Sequence, residues 1–541
     1  MKKLAVALMI LQGVACGGGG GGGSSSGGGG GGGAVPVTPG FFLDESAAPV
    51  GATVTISGGP FGGAPGTLLI GGVPAVIVSW TDGKVVLIIA AGSVSGSLDL
   101  TTASAVAYSA PFTVTSGTVW YASPSGSDAN PGSIGLPFRT IQRGVNAAAP
   151  GDWVLVRGGT YDETVTTAAG GVTLAGYPGE SAKNDHVGRC LTINHANIGV
   201  KDIEFKANYG ASDAIRTTNA SGMKLRRLKI HEGGSTVTTT AGDGIDIEGG
   251  SNMLVEDCEI YECLSGSWAV QTDSHGIVAG NFTNLTIRRC AIYRNSGDCI
   301  QADPDRDAWE NLVVEGCDLW TGPLPTSRAG WTTGQIPGEN AFDSKTPAAS
   351  SLSQSFIFRD CTVHGFSSGW IGNQAAFNVK ESVVGTIERC TVYDNILAFR
   401  MRGPTATVVV KNCVIYDNVY ATRYESLIAN LTVHNCTIVD SATAHFQNGG
   451  GGGLGAGFSA RNCLFEGSVP VEAAGDASND GVATAAFAST FVAALSRDYH
   501  LLPLASVVDG GATIPTVVND RDGVLRPQGA AYDVGAFEYV P

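Results

Sequence analysis

Six short segments of this 541-residue chain carry ionisable or amide side chains at matching places. They are Asp243–Glu248, His275–Gly280, Asp298–Asp303, Asn340–Lys345, Ala375–Lys380 and Leu397–Arg402. Ile245, Ile277, Ile300, Phe342, Phe377 and Phe399 form an apolar column through them. Side chains alternate across a strand, so the first and third residues after each apolar one face the other way. One outward column then reads Asp246, Val278, Gln301, Asp343, Asn378, Arg400, and the other Glu248, Gly280, Asp303, Lys345, Lys380, Arg402. Carboxylates occupy the upper positions and cations the lower ones. Asp243, His275, Asp298 and Asn340 stand at the turn just before. Asp246, Asp298, Asp303 and Asp343 are oxygen donors suited to a hard cation such as Ca2+. Lys345, Lys380, Arg400 and Arg402 suit the carboxylates of an acidic sugar chain. His275, Asn378, Lys380 and Arg423 are the candidate substrate-binding residues.

Positioning these groups requires stacked strands, and a repeat supplies them. Cys258, Cys290, Cys317, Cys361, Cys390, Cys413, Cys436 and Cys463 share one local frame, as in Arg389-Cys390-Thr391-Val392-Tyr393-Asp394-Asn395. The last three intervals are 23, 23 and 27 residues, and the 44 residues from Cys317 to Cys361 imply an inserted loop. A period near 23 fits one three-strand coil of a solenoid. Eight cysteines at one inward position read as core filling, with a disulfide framework as the alternative. Asn295, Asn395 and Asn418 recur in the frame as turn formers. Trp320, Trp331 and Trp370 fall in or near the longer insertions, where they either stack on sugars or pack loops.

The composition agrees. Net charge is −16, with 32 Lys+Arg against 48 Asp+Glu, which argues against a nucleic-acid partner. Only 15% of residues are charged and 78 are Gly, a balance favouring short strands and tight turns over long helices. The expected class is all-β, and resemblance to known families implies a right-handed parallel β-helix behind an immunoglobulin-like β-sandwich. Lys2 and Lys3 precede the apolar run Leu4–Leu11 and Gly13-Val14-Ala15-Cys16, an export signal too short to span a membrane. Residues 17–33 hold 14 Gly and three Ser, a flexible tether, and the run 449–453 reads as further linker. Strand-like alternation fills 34–116, the solenoid 117–480, and a terminal segment 481–541. Ile141, Val145 and Ala148 share one face of a short helix suited to closing the open end of the solenoid.

Several stretches resemble known families. Gly13-Val14-Ala15-Cys16 resembles a bacterial lipobox, with Gly13 where Leu is usual, and implies lipidation of Cys16 at the cell surface. Val54–Gly62 with Leu69–Ala75 and Ala110–Val114 resembles the IPT/TIG module, which implies a stalk. Trp120–Asp128, Pro137–Gln142 and Pro150–Tyr161 resemble the opening of pectate-lyase-type β-helices. Asp520–Pro527 with Asp533–Glu538 resembles the choice-of-anchor Q module, expected to cover the last coil. The outward columns are similar to calcium-dependent polysaccharide lyases, especially family 9 pectate lyases. That resemblance implies calcium on Asp298 and neighbouring carboxylates, and Lys345 as the base of a β-elimination. Gln301 departs from it, since an aspartate is expected there. Alginate and chondroitin lyases imply a Lys base with Arg400 or Arg402. Gly242–Asp246, Ser274–Gly276 and Gly297–Ile300 resemble polygalacturonases, although His275 precedes Asp298 instead of following it. The expectation is a monomeric, surface-anchored lyase of an acidic polysaccharide. A non-catalytic glycan-binding adhesin and a hydrolase are the alternatives.

Overall fold

The computed structural model describes residues 40–237, 239–303, 308–345, 354–503 and 505–541. The export-type segment, Cys16 and the tether lie outside the described residues. The chain forms two compact units, one reaching Val119 and one running from Trp120 to Pro541.

In the first unit two sheets pack as a β-sandwich. One joins Gly40–Leu43, Thr53–Gly59, Lys84–Ile88 and Val76–Trp80, all antiparallel. The other joins Ala47–Pro49, Ala107–Thr115, Gly96–Thr101, Thr67–Ile70 and Val73–Pro74, with one parallel edge pair. Period-two burial places Leu68, Ile70, Val85, Leu87, Leu98 and Leu100 inside. That alternation is what a sheet with one wet face requires.

The second unit is a right-handed parallel β-helix. Each coil contributes a strand to face A, then face B, then face C. Faces A and B form one 22-stranded sheet, and face C is a 13-stranded sheet. In Ile245–Glu256 and Ile277–Arg288 the A and B strands run together as single 12-residue strands. The B-to-C corner is one residue in the left-handed conformation, directly before each ladder cysteine. Asp257, Arg289, Gly316, Asp360, Arg389, Asn412, Asn435 and Asn462 hold that place, with φ between 48° and 60°. Arginine disfavours this conformation, and ion pairs between successive corners compensate. Arg289 Nε meets Asp257 at 2.7 Å, and Arg389 Nε meets Asp360 at 2.8 Å.

All eleven described cysteines are free and buried, so the ladder is thiol and not disulfide. Each of Cys258, Cys290 and Cys361 donates to the carbonyl two residues earlier at 3.3 Å. Asn395 and Asn418 form a buried ladder, in which Asn418 Oδ1 accepts the Asn395 backbone N–H at 3.1 Å. The helix Ile141–Ala147, capped by the Thr140 hydroxyl, buries Ile141 and Val145 against the first coils; Ala148, just past it, is buried too.

The solenoid's last strand, Asp480–Val482, pairs with Leu464–Glu466. Residues beyond it pack along the outside of face C, on Val482 of the last strand and on earlier coils. Phe491, Tyr499, Val507, Val534 and Phe537 pack there on Val414, Tyr416, Val439 and Leu464. The corner asparagines bind its backbone: Asn412 donates to the Asn519 carbonyl at 2.7 Å and Asn462 to that of Ala512 at 2.7 Å. Outward Val414, Val439 and Leu464 are apolar and buried beneath this cover, whereas outward Glu259, Asp318 and Thr362 in earlier coils are polar.

Candidate functional site

Face A has the expected register. Ile215, Ile245, Ile277, Ile300, Phe342, Phe377 and Phe399 stack inward, and Arg216, Asp246, Val278, Gln301, Asp343, Asn378, Arg400 and Arg423 stack outward. Strand spacing of about 4.8 Å sets the pitch of that outward column.

The centre of the face is a lysine–carboxylate group. Asp343, 2% exposed, accepts Lys380 Nζ on Oδ2 at 2.7 Å, and Lys345 Nζ lies 3.7 Å from the same oxygen. Burial raises the Asp343 carboxyl, outweighing the lowering by Lys380, Lys345 and Arg402. Lys345 also bonds the Gln301 side chain, which contacts His275 Nε2 at 3.0 Å. His275 Nδ1 accepts the backbone N–H of Asp298 at 2.9 Å. Burial, with Lys345 second, pushes His275 down to about 3, so its ring is neutral across the ordinary pH range. Gly297 makes this packing possible, because a Cβ there would lie 2.5 Å from His275 Nδ1.

Asp298 turns inward and is fully buried. Its Oδ1 accepts Asn340 Nδ2 at 2.8 Å and the Asn340 backbone N–H at 3.1 Å. Burial and the Asp343 charge push its carboxyl well up. Glu339, one residue before Asn340, is pushed up to about 9 by burial and then by Asp298 and Asp273.

Below this group three arginines converge on one carboxylate. Arg400 meets Glu425 through Nε at 3.0 Å and Nη2 at 3.1 Å. Arg423 Nε is 3.1 Å from Oε1, and Arg402 Nε is 3.4 Å from Oε2. The sequence reading placed Arg400 and Arg402 on this face, offered Arg423 as a substrate-binding candidate, and missed Glu425. Continuing the second outward column one coil further, from Arg402, would have found it.

The carboxylates proposed as calcium ligands are not gathered. Asp246 lies beside Arg216, Nη1 to Oδ2 at 3.8 Å, and Glu248 accepts Arg216 Nη2 at 2.6 Å. Arg216, one coil above, therefore opens the face with a cation, and the simple acid-to-base gradient does not hold. Asp246 and Asp343 are three strands apart, about 14 Å, and Asp343 is engaged by two ammonium groups. Among the described residues no three His, Cys, Asp or Glu side chains are grouped to hold a metal ion. Asp298, Asp303, Asp343 and Asp246 as arranged thus do not fit calcium.

The insertions build one rim. Trp331 is buried with Leu264 and Leu324, and Trp268 and Trp370 pack on it with ring centroids 6.4 and 4.8 Å away. Trp268, not singled out from sequence, is 43% exposed. Trp320 instead belongs to an outward stack on face C, between Tyr293 and His364. The glycine run 449–453 is not a linker. A Cβ on Gly449 would lie 2.1 Å from Arg423 Nε, and one on Gly452 would lie 2.2 Å from the Ser426 backbone.

A family model described as "Right handed beta helix region" matches residues 184–323 and 333–472, just over half of the chain. The chain belongs to that family. Residues 124–169 match "Protein of unknown function (DUF1565)". Over 71 residues the chain is 39% identical to "Uncharacterized protein YwoF" of Bacillus subtilis (strain 168), covering 12% of this chain and 15% of that protein. Among solved structures it is similar to pectate lyase Pel9A, at 16% identity and a TM-score of 0.45, over 78% of this chain and 97% of that one. A rhamnogalacturonan lyase follows at 14% identity and 0.40, over 76% and 95%. An alginate lyase from Paenibacillus sp. str. FPU-7 stands at 13% and 0.34, over 61% and 98%.

Proposed function

We propose that the protein is a surface-anchored polysaccharide lyase acting on an acidic, uronate-containing glycan. The observation that carries this is the single outward face on which Lys345, Lys380, Arg400, Arg402 and Arg423 follow one another over consecutive strands. In a β-elimination the uronate carboxylate must be neutralised, the C5 proton removed, and the C4–O bond broken as the C4–C5 double bond forms. The arginines suit the first task through forked hydrogen bonds to carboxylate. Lys345 suits the second, and the ammonium formed there is a proton source for the departing oxygen.

The hydrogen-bond chain fixes where the Lys345 amine sits. Lys345 Nζ bonds the Gln301 side-chain oxygen, the Gln301 amide nitrogen lies 3.0 Å from His275 Nε2, and His275 Nδ1 accepts the Asp298 backbone N–H. A base held at a fixed place on the face is what proton removal from a bound sugar requires.

Export, Cys16 lipidation and an IPT/TIG-like stalk complete the reading and place the site outside the cell. The hydrolase alternative loses support, because Asp246 and Asp298 are both buried, and Asp298 is taken up by Asn340. The adhesin alternative keeps one observation: Lys380 and the three arginines already meet protein carboxylates.

The test is incubation with polygalacturonate, alginate and chondroitin, with and without calcium, followed by ultraviolet absorbance of the unsaturated product. Product formed by the native protein and lost in Lys345→Ala is the expected result. No product on any of the three removes the lyase reading, and retention of the glycans without product favours the adhesin.

A further inference from the structure

The arginine trio poses a charge problem that Glu425 only partly solves. Three guanidinium groups carry fifteen N–H donors between them, and one carboxylate gathers all three. Counting charges, three positive and one negative leave this spot cationic. Arg400 and Glu425 are 12% and 16% exposed, whereas Arg402 is 40% exposed and open to solvent. Arg423 is further held by Asn373 Oδ1 at 3.1 Å and by the Gly449 carbonyl at 3.4 Å. The neighbouring coil contributes Gly449 and Gly450, which lie so close to Arg423 and the Glu425 backbone that neither position has room for a Cβ. The trio is thus fixed in place, with Arg402 as the member open to solvent.

We propose that Glu425 is an internal stand-in for the anionic group of the glycan, a specificity-determining residue that competes with it for Arg400, Arg402 and Arg423. In the free protein it keeps three like charges together. An incoming carboxylate or sulfate ester takes its donors, led by the exposed Arg402, and Glu425 gives way. Affinity for an anionic sugar is thereby held down, while a neutral sugar gains nothing from the trio. This rests on the reading of face A as a site for an acidic glycan and adds the residue that sets its affinity.

Binding is measured by isothermal titration calorimetry on the full chain carrying Lys345→Ala, so that turnover does not interfere. Trigalacturonate, a sulfated carboxylate-free galactan oligosaccharide and maltotriose are the probes. Adding Glu425→Gln, which keeps shape and removes charge, tightens trigalacturonate at least fivefold and leaves maltotriose unchanged. Glu425→Asp, which keeps charge on a shorter arm, gives a smaller gain, and Arg402→Gln weakens binding at least fivefold. Tightening of the sulfated probe alone assigns the anion as sulfate. Unchanged or weaker binding of both anions by Glu425→Gln, or no binding of either by any variant, overturns the proposal. Absorbance of unsaturated product from the native chain is a separate readout, so the lyase reading and the role of Glu425 fail independently.

Discussion

Acid should loosen the centre of face A through His275. The ring is 6% exposed and neutral, with its folded value lowered from 6.5 to about 3. A depressed histidine favours folding above its unfolded value, and the advantage is lost as pH falls toward the folded one. Between those values the unfolded chain binds the extra proton, so stability drops on acidification. The linkage relation gives a loss of about 2 kcal/mol at pH 5 and about 0.2 kcal/mol at pH 7. His275→Asn is the matched perturbation, because Asn Oδ1 can accept the Asp298 N–H in place of Nδ1 and does not titrate. A solenoid can open locally, so the assay is hydrogen exchange at pH 7 and 5 on peptides spanning 273–303. The native chain should lose about 2 kcal/mol more protection than the variant between these conditions. Equal losses would refute the assignment of a buried neutral ring. His500, raised to about 9 by Asp522, has the opposite sign, losing its stabilisation as pH rises from its unfolded value through about 9; it lies outside these peptides.

Other perturbations probe the scaffold. Arg526 and Glu538, both fully buried and paired at 2.7 Å, anchor the terminal segment. Glu538→Ala leaves an uncompensated guanidinium and should cost about 3–5 kcal/mol, seen as early proteolysis within 484–541. An unchanged cleavage pattern would contradict the anchoring role. Phe377→Ala empties a site between Phe358 and Phe399 and should cost about 3–5 kcal/mol, measured as a lowered unfolding midpoint. The eleven described thiols should resist iodoacetamide until the chain unfolds, because all are buried and the reagent cannot reach them. Mass spectrometry showing ladder cysteines modified in the native protein would refute the packed ladder.

The sequence carried the solenoid because its information is local and repeated. One left-handed corner residue, an inward cysteine and a three-residue strand recur, and each turn can be read without the others. The face A register was legible for the same reason, since alternation across a strand is a two-residue rule. The short helix was legible too, with Ile141, Val145 and Ala148 all buried.

The partners of the charges were not legible. A column of outward residues says which groups are neighbours, but not which of them meet. That depends on side chains reaching across strands and on whether a group at a corner turns in or out. Asp298 turned inward to Asn340, Asp343 went to Lys380, and Arg216 took Asp246 and Glu248. These choices undid the calcium set, and Glu425 recast the cationic strip as a clamp already holding an anion. The glycine run was misread, and the contacts of the terminal segment were not legible, for a related reason. A glycine is silent about what approaches it, and apolar Val414, Val439 and Leu464 do not say which distant stretch will cover them. By itself the sequence determined the coil, its register and the order of charges along one face. Only the tertiary structure decided which charges neutralise one another, because pairing depends on distances that no local pattern encodes.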